Sequence, residues 1–201
     1  MIQAYRSAFN VLGEEKFHNS CVCGCKNSKF AQLTKIKDMY IGLISDTHGV
    51  FSEEFREFLK PVDQIWHAGD FGGGMDLAHE IAEFKPLVGV AGNCDNHDLR
   101  FDHPLHRFFE CEGMKVLMTH VGGYPGRYDA RARKLIDELR PDIFVCGHSH
   151  ILKVMRDPKR DMLVLNPGAA GIQGFHVVRT ALRFYIDSGR IHSMEVFNLD
   201  R

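Results

Sequence analysis

The chain has 201 residues, of which 44% are hydrophobic and 25% are charged, so its composition predicts a folded domain with a substantial core and excludes a largely disordered chain. The formal net charge of -1 gives no chain-wide positive field, and a nucleic acid is therefore not the favoured partner. No stretch approaches the roughly 18 apolar residues of a membrane span, and residues 1–20 lack the apolar core of a signal peptide, so we expect no membrane partner and a cytoplasmic location.

Residues 1–38 show no convincing hydrophobic period, and we expect an N-terminal extension that the fold of residues 39–201 does not require. The C-x-C-x-C motif at residues 21–25 could bind zinc. Structural zinc sites favour C-x2-C spacing and need a fourth ligand, however, so free thiols are the favoured interpretation. Free thiols are also expected for the other cysteines, which are Cys94, Cys111 and Cys146.

From Met39 onward, short apolar runs alternate with segments of helical period, which predicts a β-α-β-α-β progression. These elements are expected at residues 40–44, 52–60, 64–68, 76–84 and 87–91. A hairpin closed by Glu112-Gly113 should follow, and then a helix that ends before Pro141 and another strand. We expect these at residues 105–111, 114–119, 128–139 and 143–146.

The rest of the chain reads as strands joined by turns at Asp157-Pro158 and Ser188-Gly189, and antiparallel pairing is expected there. The strands are predicted at residues 152–155, 162–165, 181–186 and 191–197. A β-rich half that follows a βαβ half indicates an α/β fold in which two sheets pack as a sandwich with helices outside.

Side chains of the kinds that bind metals follow five of the predicted strands. They are Asp46 and His48, then Asp70, Asn93 and His120, and finally His148 and His150. Ligands of α/β sheets bind beyond the carboxyl ends of the strands, so the five loops should converge. Nitrogen and oxygen donors without a thiolate suit Mn, Fe, Co, Ni or Zn better than Ca. Seven ligands exceed the need of one ion, whereas two ions would each receive about four if Asp70 bridges them.

The ordered motifs D-x-H, G-D, G-N-x-[DE], H and G-H-x-H resemble those of the calcineurin-like metallophosphoesterases. Here they are Asp46/His48, Gly69-Asp70, Gly92-Asn93-Cys94-Asp95, His120 and Gly147-His148-Ser149-His150. Two segments, residues 92–95 and 166–168, are similar to the small bacterial and archaeal phosphodiesterase branch of that superfamily. The resemblance covers residues 39 to about 199, and the combined pattern is far more specific than any one motif.

This resemblance implies a four-layer α/β/β/α sandwich of two mixed sheets flanked by helices. It also implies a dinuclear-metal phosphoesterase, a phosphodiesterase acting on small-molecule phosphate esters, in which a metal-bridging hydroxide attacks in line. Manganese is the favoured metal. One ion would be held by Asp46, His48, Asp70 and His150, and the other by Asp70, Asn93, His120 and His148. The predicted catalytic residues are Asp70, Asn93 and His120, and the predicted substrate contacts are Asn93, Cys94 and Arg127.

The chain departs from the wider superfamily at Cys94, where many members have a histidine proposed to protonate the leaving group. A thiol is a poor acid near pH 7 compared with an imidazole, so we expect a preference for diesters or for esters with good leaving groups. The arginine-containing G-D-x-V-D-R-G form of the Ser/Thr phosphatases is also absent, because Phe71 and three glycines follow Asp70. Protein phosphatase activity is therefore disfavoured.

Several neighbouring residues receive other interpretations. His67 is expected to pack beside Asp70 rather than to bind metal, and Asp95 to orient a neighbouring histidine. No role is assigned to His79, His97, His103, His106, His176 and His192. Two other functions stay open: an interaction scaffold, as in the retromer coat subunit that uses this fold with a degraded metal site, and a nuclease of the same superfamily. The sequence also leaves open whether the chain forms a homo-oligomer.

Overall fold

The computed structural model describes residues 38–201, so nearly all of the predicted extension, including its C-x-C-x-C motif, lies outside the described residues. In chain order the elements are β1 (Met39–Ile44), α1 (Glu53–Leu59), β2 (Gln64–His67), α2 (Gly74–Phe84), β3 (Leu87–Gly89), α3 (Leu99–Asp102), β4 (His106–Cys111), β5 (Met114–Thr119), β6 (Gly123–Tyr124), β7 (Arg127–Tyr128), α4 (Ala130–Leu139), β8 (Ile143–Val145), β9 (Leu152–Asp157), β10 (Met162–Pro167), β11 (Val178–Asp187) and β12 (Arg190–Asp200).

Two five-stranded mixed sheets form the centre of the fold, with strand orders β12-β11-β1-β2-β3 and β4-β5-β8-β10-β9. In the first sheet β1, β2 and β3 are parallel, and β11 and β12 are added in antiparallel fashion. In the second sheet β5, β8 and β10 are parallel, with antiparallel β4 and β9 at the edges. The carboxyl ends of these six parallel strands lie where loops of both sheets meet.

Three clusters of buried apolar side chains lie between four layers of helices and sheets. On β1 the side chains alternate, with Ile41 and Leu43 in the cluster between the sheets and Tyr40 and Ile44 in the cluster under α1 and α2. Beyond the second sheet, Ile136 of α4 packs in a third cluster with apolar residues of β5, β8 and β10. The order is therefore α, β, β, α, and the four-layer sandwich is confirmed.

The predicted strands and helices are all present, with ends that differ by a few residues. Glu112 and Gly113 close the predicted hairpin with positive φ angles of 45° and 80°, as a type I′ turn requires. The helix expected from residue 128 begins instead at Ala130. The physical reason is the N-cap, because the Asp129 carboxylate accepts hydrogen bonds from the N–H groups of Arg131 and Ala132.

Three short elements were not predicted, namely α3, β6 and β7, and none has enough residues to show a hydrophobic period. The free thiols expected at Cys94, Cys111 and Cys146 are confirmed. Within residues 38–201 no helix has both the length and the apolar character needed to cross a membrane.

Candidate metal centre

The seven predicted ligands lie in loops at the carboxyl ends of strands from both sheets. The loops after β1, β2 and β3 come from the first sheet, and the loops after β5 and β8 come from the second. Backbone hydrogen bonds join neighbouring loops: Asp46 N–H donates to the Gly69 carbonyl over 2.9 Å, and Gly147 N–H donates to the His120 carbonyl over 2.9 Å. The site is therefore built across the two sheets.

One group of donors, the first cluster, consists of Asp46, His48 and His150, whose ligand atoms all lie within 4.8 Å of one another. The Nε2 atom of His150 lies 3.2 Å from Asp46 Oδ1 and 3.3 Å from His48 Nε2. Two imidazole nitrogens and one carboxylate oxygen thus face a common point. This is the donor chemistry of a transition-metal site.

A second cluster consists of Asp70, His120 and His148, again with ligand atoms within 4.8 Å of one another. The His120 Nδ1–H group donates to the Ala68 carbonyl over 2.8 Å, and this leaves Nε2 as the atom that faces the site. It lies 3.2 Å from Asp70 Oδ2. A histidine that binds metal through one ring nitrogen is usually oriented by a hydrogen bond from the other ring nitrogen.

Two observations join the clusters. His120 Nε2 lies 3.9 Å from Asp46 Oδ1 of the first cluster. His48 also forms a third set of donors, within 4.8 Å of one another, with Asp70 and Cys94. Asp70 thus has candidate ligands of both clusters within reach, which is the position that a bridging carboxylate needs.

The residues fit a metal because buried polar atoms in the site lack partners. Among the described residues, Asp46 Oδ1 and His120 Nε2 are buried without a hydrogen bond, although such groups are costly to leave unpaired. The other carboxylate oxygen of Asp46 accepts from Ser45 Oγ over 2.6 Å and from His148 N–H over 3.0 Å. These contacts hold Oδ1 toward the cluster, where a cation would satisfy it.

The backbone at these ligands is unusual. Of the ten non-glycine residues with positive φ in residues 38–201, five are predicted ligands: Asp46 (53°), His48 (46°), Asp70 (57°), His148 (66°) and His150 (55°). Left-handed backbone is unfavourable for such residues and concentrates at functional sites. The sharp turns that follow the strands aim these side chains into the space between the loops.

Close approach explains two of the motif glycines. A Cβ atom on Gly69, whose φ is +97°, would lie 2.7 Å from His120 Nδ1. A Cβ atom on Gly92 would overlap the carboxylate of Asp70. In this structure the glycines make room for the two ligand side chains.

Electrostatics favour a charged Asp70 even without metal. Burial raises the pKa of Asp70, but contact with His120 and the N–H of Cys94, which donates to Oδ1 over 2.8 Å, outweighs burial and places the pKa well below its usual range. By contrast, burial raises the pKa of the Cys94 thiol to about 11, with the Asp70 carboxylate adding to the effect. The thiol is therefore neutral near pH 7.

Asp95 does not have the predicted role. Within residues 38–201 it makes no hydrogen bond to a histidine; instead its carboxylate accepts from the backbone N–H groups of Asp70 (3.0 Å), Gly72 (3.1 Å) and Gly92 (2.8 Å). It therefore fixes the backbone of two ligand loops. The G-N-x-[DE] motif includes Asp95, but it does not show what Asp95 contacts, because backbone N–H donors carry no side-chain signal.

His67 makes contacts of the kind predicted. It is fully buried, its ring stacks on Phe71 with centroids 3.6 Å apart, and its Nδ1 accepts from Gly69 N–H over 3.1 Å. Its Nε2 lies 2.9 Å from Thr47 Oγ1. Burial lowers the pKa of His67 well below its ordinary value, so both ring nitrogens are engaged in a neutral side chain.

The predicted substrate contacts lie at the exposed side of the site. Asn93 and Cys94 are exposed, and the Asn93 amide donates to Cys94 Sγ over 3.4 Å. Arg127 is exposed on β7, opposite Tyr124, and no contact between it and either cluster is found in residues 38–201. The roles of these three residues stay predictions.

Two residues outside the ligand motifs support the loop after β8. Asn166 is buried and donates to the Gly147 carbonyl over 2.8 Å and to Ser149 Oγ over 3.1 Å. His176, for which no role was predicted, has its Nδ1 3.1 Å from Nδ1 of His150. The Asn166-Pro167-Gly168 motif pointed to Asn166, whereas no pattern in the sequence pointed to His176.

The calcineurin-like phosphoesterase superfamily domain matches residues 39–189. A probable metallophosphoesterase from Methanothermobacter thermautotrophicus is 35% identical over 136 residues, which are 65% of this chain and 77% of the relative. The family match over residues 39–189 includes both clusters.

Solved structures show the same architecture. Vps29 from Entamoeba histolytica, in complex with Zn²⁺, superposes with a TM-score of 0.57 at 18% identity and covers 81% of this chain and 99% of that chain. A structure described as a novel archaeal phosphodiesterase superposes with a TM-score of 0.58 at 21% identity and covers 80% of this chain and 100% of that chain. At these identities the likeness is one of fold.

Proposed function

The chain belongs to the calcineurin-like phosphoesterase superfamily, and we propose that it is a dinuclear-metal-dependent phosphodiesterase acting on small-molecule phosphate esters. In the proposal one divalent ion is held by the first cluster with Asp70, and the other by the second cluster with Asn93. Manganese is the favoured metal, with Fe, Co, Ni or Zn as alternatives.

The observation that carries the proposal is the pair of donor clusters with unpartnered atoms. Asp46 Oδ1 and His120 Nε2 are buried without a hydrogen bond among the described residues and lie 3.9 Å apart. Two bound ions would supply an activated water and offset the negative charge that develops on the phosphoryl oxygens. Both donor clusters are present here, whereas the scaffold that uses this fold is expected to have a degraded metal site, and for this reason we favour an enzyme over a scaffold.

The chain's own residues would then divide the remaining work. Asp70 joins the two clusters, and the backbone N–H of Cys94 keeps its Oδ1 in place over 2.8 Å. The exposed Asn93 amide would bind a phosphoryl oxygen. Cys94 stands where an imidazole acid would stand in many superfamily members, so protonation of the leaving group is weak, and we expect diesters or esters with good leaving groups to be preferred.

A metal-by-substrate screen tests the proposal. The full-length chain, stripped of metal with a chelator, is assayed with bis(p-nitrophenyl) phosphate after addition of Mn²⁺, Fe²⁺, Co²⁺, Ni²⁺, Zn²⁺ or Mg²⁺. We expect hydrolysis that depends on a transition metal, is abolished by Asp70→Asn and is unaffected by Asp76→Asn, which changes an exposed carboxylate on α2.

Three other outcomes would redirect the assignment. Metal binding without hydrolysis under any condition would favour the scaffold. Degradation of DNA or RNA in preference to the small diester would favour the nuclease. Equal activity of Asp70→Asn and the unmodified chain would show that the clusters do not carry the reaction.

A further inference from the structure

The segment between β10 and β11 contacts two residues of the first cluster. Gly171 N–H donates to the Asp46 carbonyl over 3.0 Å, and His176 Nε2 lies 3.0 Å from the Gly171 carbonyl. His176 Nδ1 lies 3.1 Å from His150 Nδ1, and the two rings are nearly perpendicular, with an interplanar angle of 79°. A continuous chain of contacts thus leads from the backbone of one ligand to the side chain of another.

The Gly171 carbonyl determines where the protons lie in this series of contacts. A carbonyl oxygen only accepts, so His176 Nε2 carries a hydrogen and donates it to Gly171. The neutral ring of His176 then has an unprotonated Nδ1, which accepts from Nδ1–H of His150. This leaves Nε2 of His150 without a hydrogen, directed at Asp46 Oδ1 over 3.2 Å.

We propose that His176 is a positioning residue that holds His150 in the tautomer and ring orientation in which its Nε2 binds metal. The proposal rests on the proposed function, because it requires that the first cluster holds an ion. His176 itself would not contact the ion or the substrate. Its effect is to disfavour the other tautomer of His150, in which the hydrogen is on Nε2, the nitrogen that faces the cluster.

Gly174 further restricts the two rings. A Cβ atom on Gly174, whose φ is +123°, would lie 2.8 Å from His150 Cε1 and 3.2 Å from His176 Nδ1. The backbone therefore passes close to both imidazoles, and the pair has little freedom to rotate. A ligand histidine oriented by its second nitrogen usually loses about 10- to 100-fold in metal affinity when that partner is removed.

The first test measures metal affinity and does not use activity. The full-length chain is stripped of metal and titrated with Zn²⁺ in competition with a chromophoric chelator. We expect His176→Ala to weaken one of two bound ions by about 10- to 100-fold, and His176→Asn, which returns an acceptor oxygen near the Nδ1 position, to recover part of that loss. His79→Ala, which changes an exposed histidine on α2, is the matched control and should leave both affinities unchanged.

A second readout separates positioning from a general effect on the fold. In the Co²⁺-loaded chain, the Nδ1–H of a coordinated histidine gives an exchangeable, hyperfine-shifted proton resonance. We expect the His150 resonance, assigned by its loss in His150→Ala, to be sharp in the unmodified chain, broadened by solvent exchange in His176→Ala and restored in His176→Asn.

The results of these tests distinguish failure of this inference from failure of the proposed function. Two-site binding that is the same in the unmodified chain and in His176→Ala would overturn this inference alone. Weaker binding in His176→Ala with no recovery in His176→Asn would show that the acceptor is not what matters and would overturn it as well. No transition-metal binding by the unmodified chain would overturn the proposed function and, with it, this inference.

Discussion

The backbone N–H of Asp70 donates to the carboxylate of Asp95 over 3.0 Å, so a buried acid outside both clusters holds the backbone of the predicted central ligand. The same carboxylate accepts from Gly92 N–H over 2.8 Å. One side chain therefore joins the loop after β2 to the loop after β3. This connection matters because Asp70 is the residue that we propose to bridge the two clusters.

The first prediction concerns that connection. Replacing Asp95 with alanine removes the acceptor of three backbone donors, and we expect the free energy of unfolding to fall by about 3 kcal/mol. Metal affinity should fall by about 10- to 100-fold as the Asp70 loop loosens. Urea unfolding and Zn²⁺ titration measure the two effects. Asp98→Ala, an exposed acid of the same segment, should change stability by less than about 0.5 kcal/mol, and a similar loss in both variants would contradict the prediction.

The second prediction separates backbone conformation from close packing at Gly69. Gly69 and Gly126 have similar φ angles, +97° and +88°, but only Gly126 has open space where a Cβ would be placed. We expect Gly126→Ala to cost about 1 kcal/mol from its backbone alone. Gly69→Ala should cost about 1–3 kcal/mol more because it displaces the His120 ring. Equal losses in thermal unfolding of the metal-free variants would show that contact with His120 is unimportant.

The third prediction concerns leaving groups and rests on the proposed function. Cys94→His introduces an imidazole acid beside Asp70, and we expect the hydrolysis of aryl phosphate esters with poor leaving groups to rise by about 10- to 100-fold relative to those with good ones. The measurement is the dependence of rate on leaving-group pKa across a substituted series. Cys94→Ser should keep the dependence of the unmodified chain. An unchanged slope in Cys94→His would mean that this position does not reach the leaving group.

The fourth prediction concerns stability and pH at the far side of the second sheet. Asp157 is buried and accepts from Tyr128 Oη over 2.9 Å and from Arg160 Nη1 over 3.1 Å. Burial raises the pKa of Asp157, but these hydrogen bonds and that of the Lys159 N–H outweigh it and lower the pKa below its ordinary value. A lowered folded-state pKa stabilises the fold above the unfolded value of about 3.9 and loses that contribution as the pH falls through the folded value.

Asp157→Asn should accordingly lower the free energy of unfolding by about 1–3 kcal/mol at pH 7, and the difference from the unmodified chain should shrink below about pH 4. Urea unfolding at pH 7 and at pH 3 measures both values. Asp137→Asn changes an exposed carboxylate that also pairs with Arg160 and should have an effect of less than about 1 kcal/mol. A difference that stays constant with pH would argue against an ionised Asp157.

Local patterns were sufficient to predict most of the secondary structure and the kinds of ligands. The apolar run at residues 40–44 predicted strand β1, and Glu112-Gly113 identified the hairpin because its backbone angles are encoded by two adjacent residues. The candidate ligands were found in the same way, since each follows an apolar strand and parallel strands end at a common edge. In both cases the information lies within a few neighbouring residues.

The remaining features depend on residues that are far apart in the chain. Strand β11 returns to pair with β1, with Leu43 opposite Leu182, and no local pattern states which of the two sheets it joins. Asp95 turned out to hold backbone N–H groups rather than a histidine, and His176 meets His150 across 26 positions of the sequence. The sequence determined which side chains are available to bind metal. The tertiary structure decided which groups hold them in place, because those hydrogen bonds form only after the two sheets have packed and the loops of both have closed on one another.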